Sequence, residues 1–403
     1  MPDRDAAFDV VPASEPVAAA PAWSVTSELE ETAETVGRRF AGPAATEVDR
    51  DARFPHEAVQ AMRERAMLGS FVPPSLGGGG ASLRDVAGAV RCLAHHCTSS
   101  ALVFAMHQIQ IAMVAEHGNH RRLRGFLRDV ARDQLLMANA ASEVGIGGDA
   151  RTSSCAIERA AGRFRMDKMA ATISYGAYAD AVLTTARRDA EAASDDQVIA
   201  VCRPPGLSLE PISTWDTMGL RGTCSNGFHL VAEGDEAFVL PVPFGEVAAR
   251  TGLPVGNILL GAVWLGLAEA AAAVAHRAVR AEGRRRIGSV PDSAVSLAEL
   301  ALVLQALREL HEGTTARYER VRGSEEAAAV RVAFAMQGHK VSSSKLALEV
   351  VERAVSIAGP DAYHDGPDGL GRHLRDAYGA VLMVGNDRVL ADNARLLLVQ
   401  KTL

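Results

Sequence analysis

Disulfides are the first thing this sequence withholds. Its five cysteines among 403 residues are odd in number and irregularly spaced, so they make no cross-linked framework and suit a reducing compartment. An excess of positive charge is missing as well: 42 Lys and Arg stand against 49 Asp and Glu, a net charge of −7, with a pI near 6.0. No broad basic face is available to neutralise a phosphate backbone, which excludes nucleic acid as the expected partner and leaves only local patches such as Arg284, Arg285 and Arg286. Long apolar runs are also lacking. The Ala-rich segment from Leu259 is interrupted by Glu269, His276 and Arg277, short of the roughly 20 apolar residues a bilayer requires. No membrane association is expected, and the expected compartment is the cytoplasm. No fixed internal period recurs, which excludes a solenoid. The stretch from Met1 to Trp23 carries Asp3, Asp5, Asp9 and Glu15 among Pro and Ala and fits neither a signal nor a transit peptide. Residues 1–25 read as a disordered tail.

What is present is a globular composition, 48% hydrophobic with a mean hydropathy of +0.04, in a chain longer than one ordinary core. Residues 26–135 read as helical, with amphipathic Glu/Arg-rich stretches broken at Phe54-Pro55 and at Val72-Pro73-Pro74. Residues 136–248 change to short apolar runs, such as Ala181-Val182-Leu183 and Val198-Ile199-Ala200-Val201, separated by turn formers as in an antiparallel sheet. In residues 249–403 helical periodicity returns, with charges spaced through Glu299, Arg308, Glu319, Arg331 and Lys345. The expected fold class is α+β: an N-terminal helical domain, a central antiparallel, barrel-like β domain and a C-terminal four-helix bundle.

Two short patterns suggest sites and lose to plainer readings. Cys92, His95 and His96 would share one side of a helix, but Cys97 points elsewhere, and structural zinc sites draw ligands from separate elements; no metal is expected. The run Gly77 to Gly80 lacks the Lys-Ser/Thr ending that a phosphate loop uses.

Several segments carry a resemblance. Ser142-Glu143-Val144-Gly145-Ile146-Gly147-Gly148-Asp149 is similar to a T-E-x-x-x-G-S-D loop. Met218-Gly219-Leu220-Arg221-Gly222-Thr223 is similar to M-G-x-R-G-S, Arg284-Arg285-Arg286-Ile287-Gly288 to R-x-x-F-G, and Arg372-His373-Leu374-Arg375-Asp376-Ala377 to R-x-x-R-D-A. With Gly77–Gly80 in a P-x-x-x-G-G-x-G loop, the stretch from about Glu28 to Leu398 resembles the acyl-CoA dehydrogenase flavoproteins. The resemblance implies FAD held by Ser142, by Thr172 or Ser174 at the flavin edge, by Arg284 on the diphosphate of a neighbouring subunit's flavin, and by Ser356 and Gly359 in a degenerate Q-x-x-G-G-x-G-Y. It places Gly148, Arg221 and Val384 on the substrate side. It also implies a homotetramer or homodimer.

The departures matter as much. Gly148 replaces a serine, Ala170-Ala171-Thr172 replaces Trp-Ile-Thr, Val295 replaces a glutamine, and Val384 stands where the family carries its proton-abstracting glutamate. Valine has no lone pair with which to take a proton alpha to a thioester. Leu253 to Leu260, where some members carry the glutamate instead, holds no acid either. The leading expectation is therefore dehydrogenation of an acyl-CoA or acyl carrier protein thioester with a relocated base, Asp387, one helical turn past Val384, and with an electron-transfer partner. The alternative is a two-component monooxygenase that takes reduced flavin, FMN included, from a flavin-reductase partner and uses O2, with His107 managing a proton. The third reading is a catalytically silent relative that binds an acyl carrier.

Overall fold

Ser27 opens the first helix by accepting a hydrogen bond from Glu30 N at 3.3 Å, which satisfies one of the amide groups a helix start leaves without a partner. The computed structural model describes residues 27–146, 149–285, 289–366 and 368–399. The tail assigned to residues 1–25 and Gly148 lie outside the described residues.

The first third is helical: α1 (Glu28–Val36), α2 (Gly42–Arg50), α3 (His56–Glu64), α4 (Leu83–His96), α5 (Thr98–His117) and α6 (Arg121–Asp133). Helix α4 begins with a capping box, in which Ser82 and Asp85 satisfy each other's backbone amides. Helix α5 is buried on nearly every side, so its apolar character shows no amphipathic stripe.

Strands follow: β1 (Met137–Ala140), β2 (Glu158–Ala160), β3 (Arg163–Ala170), β4 (Ala181–Arg187), β5 (Gln197–Cys202), β6 (Leu207–Pro211) and β7 (Phe228–Asp235). They form two sheets, β1-β4-β5 and β2-β3-β7-β6. One pairing departs from the antiparallel expectation: β1 runs parallel to β4, with Met137 opposite Ala181. The chain from 141 to 180 crosses over between them, long enough for a parallel return that a hairpin cannot make. Strand β3 alternates exposed and buried positions and β7 alternates over its first half, whereas β5 is buried throughout and β4 up to its last residue, so β3 shows the clearest alternation of a half-solvated strand.

The last third contains α7 (Phe244–Val247), α8 (Leu253–Arg285), α9 (Ser293–Glu319), α10 (Val330–Ala358), α11 (Gly371–Leu382) and α12 (Asn386–Val399). Contacts fix the directions of the long helices. Arg308 reaches Glu269, Ser293 reaches Glu282, Arg353 reaches Glu299 and His311 reaches His339, so α9 runs antiparallel to both α8 and α10. The fold is thus α+β, helical at both ends around a central β region. Two helical spans, Thr98–His117 and Phe244–Arg285, are long and apolar enough to cross a membrane by length and composition, contrary to the expectation that none would be. Both are mostly buried within the fold, because they run through its core.

Candidate functional site

Where the three regions meet, a cavity of about 440 Å³ opens. Leu102 and Met106 reach it from α5, Thr172 and Ser174 from the segment after β3, Trp215, Thr217 to Leu220, Thr223 and Ser225 from the loop before β7, and Arg375, Gly379, Leu382 and Met383 from α11 and its end. Its walls are mostly apolar, its hydroxyls lie on the β side, and the Arg375 guanidinium stands on the α11 side.

Those hydroxyls are tied together. Ser142 Oγ donates to Thr172 O at 3.0 Å and accepts from Thr172 N at 3.1 Å, so the loop that begins at Ser142 and the strand end at Thr172 hold one another. On the same side Thr223 Oγ1 donates to Leu220 O at 2.9 Å, and Ser225 Oγ donates to Ser174 Oγ at 2.8 Å. Ser174 receives in this chain, which leaves its own hydroxyl hydrogen for a ligand in the cavity.

The loop behind Ser142 is anchored by a buried carboxylate. Glu143 Oε1 accepts from Cys155 N at 3.0 Å and Ser153 Oγ at 3.1 Å, and Oε2 accepts from Ser154 N at 2.6 Å and Ser154 Oγ at 3.0 Å. Lys168 Nζ lies 3.9 Å away, fully buried, and donates to Thr185 O at 2.7 Å and Thr185 Oγ1 at 3.1 Å. Burial opposes ionisation of Glu143, but Lys168 and the N–H donors outweigh it and hold the carboxyl below its ordinary value.

Past Arg375 the cavity continues into a second cleft of about 390 Å³, lined by Thr46, Asp49, Arg50, Thr217, Met218, Arg221, Asp365 and Arg375. Arg221 reaches this outer cleft, but its guanidinium is committed to the fold. It donates from Nε to Asp49 O at 2.8 Å and from Nη1 to Thr217 O at 2.7 Å and Asp216 Oδ1 at 3.4 Å, so it anchors the turn.

His107 requires a correction. It is 0% exposed, its Nδ1 accepts from Met137 N at 3.0 Å, and its Nε2 therefore donates to Leu68 O at 2.7 Å. Both ring nitrogens are spent on backbone, and Met106, its neighbour, faces the cavity instead. Burial pulls its pKa down from the ordinary 6.5 to about 4, so the ring stays neutral. The unfolded ring takes a proton near 6.5, whereas the folded one resists until about 4. Its contribution to stability, about 3 kcal/mol, is therefore complete above the unfolded value and is lost as pH falls from there through the folded value. Urea unfolding across that interval should show the decline, and His107→Gln should decline less; equal slopes for the two proteins would exclude it.

Val384 and Asp387 are corrected as well. Residues 383–385 are a turn, not a helix, with Val384 at φ +60° and Gly385 at φ +36°. Counting one helical turn from Val384 to Asp387 fails across that break. Val384 is 45% exposed, Asp387 is exposed at the start of α12, and the residue that lines the cavity here is Met383. Arg284 ends α8, and Ser356 and Gly359 lie at the end of α10. Since α8 and α10 run parallel, all three share one end of the bundle, and none of them lines the cavity.

The structure brings Ser142, Thr172 and Ser174 together at one side of the cavity. It adds Leu102, Met106, Trp215, Ser225, Arg375 and Met383, which sequence reasoning did not single out. Arg375 lies inside the R-x-x-R-D-A segment, whose match was the available signal, and the structure makes it the shared rim of two clefts. The tempting group at Cys92 to Cys97 resolves into separate contacts: His96 Nε2 meets Glu34 Oε2 at 3.1 Å, and no cluster of three or more His, Cys, Asp or Glu suited to a metal occurs among the described residues.

Comparison with known proteins bears on the whole chain. The family described as "Acyl-CoA dehydrogenase, N-terminal domain" matches residues 26–134, and "Acyl-CoA dehydrogenase, C-terminal domain" matches residues 258–385. The chain is similar to the amino sugar nitrososynthase DnmZ of Streptomyces peucetius, 30% identical over 64% of each chain. It is also similar to the probable FMNH2-dependent monooxygenase SfnC of Pseudomonas putida, 26% identical over 82% of this chain and 85% of that one. Among solved structures, FMN-bound TdsC from Paenibacillus sp. A11-2 superposes with a TM-score of 0.81 at 19% identity, covering 92% of this chain and 97% of that one. Butyryl-CoA dehydrogenase from Megasphaera elsdenii superposes at 0.80 with 21% identity, covering 93% and 99%. At these identities the structures speak for the fold alone.

Proposed function

The chain belongs to the acyl-CoA dehydrogenase family of flavin oxidoreductases, and we propose that within it this protein is a flavin-dependent monooxygenase that takes reduced flavin from a separate reductase and uses O2. One observation carries the reading: among its described lining residues the cavity contains hydroxyls and one guanidinium, but no carboxylate and no imidazole. Dehydrogenation of a thioester needs a base within hydrogen-bond reach of the alpha proton. Asp387 and His107, the two groups that sequence reasoning offered, are exposed beyond the turn and locked in the core.

The residues present fit a flavin. Leu102, Met106, Trp215 and Leu220 offer apolar faces to a flat ring, and Thr172 and Ser174 set hydroxyls along one edge. When bound in reduced form, the flavin supplies the two electrons that activate oxygen. The chain's own part is to seat the ring, to offer the Ser174 hydroxyl hydrogen to its polar edge, and to keep water from the apolar side. Arg284 is assigned to a neighbouring subunit's flavin in a homotetramer or homodimer, on its diphosphate if that flavin is FAD and on its single phosphate if it is FMN, and Ser356 and Gly359 are assigned to flavin binding. Whether that flavin is FMN or FAD is a matter of relative affinity, and the FMN- and FMNH2-named relatives favour FMN. Cys92, Cys97, Cys155, Cys202 and Cys224 are all free thiols, in keeping with a cytoplasmic setting.

The experiment uses the flavin-loaded protein twice. Anaerobic mixing with butyryl-CoA and longer acyl-CoA thioesters should leave the flavin absorbance unchanged. Reduced protein given isotopically heavy O2 and the bicyclic probe indole should incorporate the label into product. Bleaching by a thioester without label incorporation would return the protein to the dehydrogenases.

A further inference from the structure

Val384 is a β-branched residue at φ +60°, followed by Gly385 at φ +36°. Left-handed backbone crowds a β-branched side chain against its own carbonyl, and such a conformation persists only where its surroundings over-determine it. The turn's own bonds do not suffice. Gly385 N donates to Leu382 O at 2.9 Å and Val389 N to Gly385 O at 3.2 Å, bonds that an unstrained glycine turn makes equally well. The constraint comes from the next residue. Asn386 is buried and opens α12, and its Oδ1 accepts from Lys340 Nζ at 2.5 Å while its Nδ2 donates to Ser344 Oγ at 3.1 Å. Lys340 is 1% exposed in the middle of α10. Among the described residues Asn386 Oδ1 is the only hydrogen-bond acceptor its ammonium reaches, and no carboxylate pairs with it. Burial alone lowers its pKa to about 8, the mark of a cation with few alternatives to that one bond.

We propose that Lys340 is a positioning residue: by gripping Asn386 it locks Val384 and Gly385 in their left-handed conformation, and so fixes Leu382 and Met383 as a wall of the cavity. Leu382 ends α11 and Met383 opens the turn, directly before the left-handed pair. Released from the clamp, Val384 returns to negative φ, the peptide ahead of it rotates, and Met383 leaves the wall. The inference rests on the reading of this cavity as the flavin-side site, but the clamp itself is a property of the chain.

The test is a coupling measurement with two readouts, the FMN dissociation constant from flavin fluorescence and the hydrogen-exchange rate of the Val389 amide. Lys340→Met should weaken FMN binding by about tenfold, within the range that release of such strain returns, and should speed exchange at Val389. Val384→Gly in that background should recover binding to within roughly twofold of the parent protein, because glycine adopts positive φ without a clamp; Val384→Gly alone should bind like the parent. A lysine that merely fills space predicts no such rescue. Unchanged binding and exchange in Lys340→Met, or a double variant no better than Lys340→Met, overturns the proposal. Should Lys340→Met not fold, Asn386→Ser with and without Val384→Gly is read in the same way. If the parent protein takes up no flavin, the reading of the site falls, and exchange at Val389 still decides the clamp.

Discussion

Glu143→Gln is expected to lower the unfolding free energy by about 3–5 kcal/mol, the usual consequence of breaking a buried ion pair from one side. The carboxylate satisfies four donors from residues 153–155 and stands opposite a fully buried lysine. Glutamine keeps one oxygen but turns an NH2 toward the donors on the other side, so at least one buried N–H or O–H loses its acceptor. Lys168 is left to Thr185 alone. Because Glu143 is followed along the loop by the residues it holds and preceded by Ser142, the damage reaches the cavity, and flavin affinity should fall with stability. Urea unfolding gives the first quantity and flavin titration the second. The double variant Glu143→Gln with Lys168→Met should recover part of the stability, since it removes the cation that the first change strands. Equal stability of Glu143→Gln and the parent would show that the loop is held by packing alone. The sign with pH follows from the lowered carboxyl: the contribution is complete above the unfolded glutamate's value and disappears as acid titrates the folded one.

The second large effect lies in the bundle. Glu269 is 3% exposed and accepts from Arg91 Nε at 2.7 Å, Arg91 Nη2 at 2.8 Å and Arg308 Nε at 2.7 Å. One carboxylate thus joins α4, α8 and α9, and two guanidinium groups share it. Glu269→Leu preserves most of the volume but leaves both arginines facing one another. The expected loss is about 3 kcal/mol, the low end for a broken buried pair, because Arg308 can turn toward water. Differential scanning calorimetry should show a lower midpoint. Arg91→Met added to Glu269→Leu should raise it again, and failure of that second change to help would argue that the helices are held by their apolar contacts, with the triad contributing nothing.

Much of the architecture was legible in the sequence because each region carries its own period. The switch from helical spacing to short apolar runs near Leu136 and back after Gly252 marks the order helices, strands, helices. The parallel run of β1 beside β4 was not legible, since nothing in Met137–Ala140 says which neighbour it will choose across an intervening crossover. At the cavity, Thr172 and Ser174, with Ser142 bonded to Thr172, lie in segments the motifs had already marked. Arg221 anchors its turn, a task the sequence alone does not separate from binding a ligand, because a guanidinium looks alike in both. The region around Val384 was misread for a definite reason. Helical counting assumes a continuing helix, and a β-branched residue is the last place to expect a left-handed break, so Asp387 was projected onto a face it does not share.

The crossover that brings β1 beside β4 also has a bearing on how the protein comes to be assembled. Strands β4 and β5 are neighbours along the chain and can zip together soon after synthesis, whereas β1 must wait until forty residues of intervening chain have been threaded over the growing sheet. Those residues include the stretch that reaches the cavity. The last edge of that sheet to close is therefore the one beside the cavity, so an immature molecule exposes an open β edge before that cavity is formed.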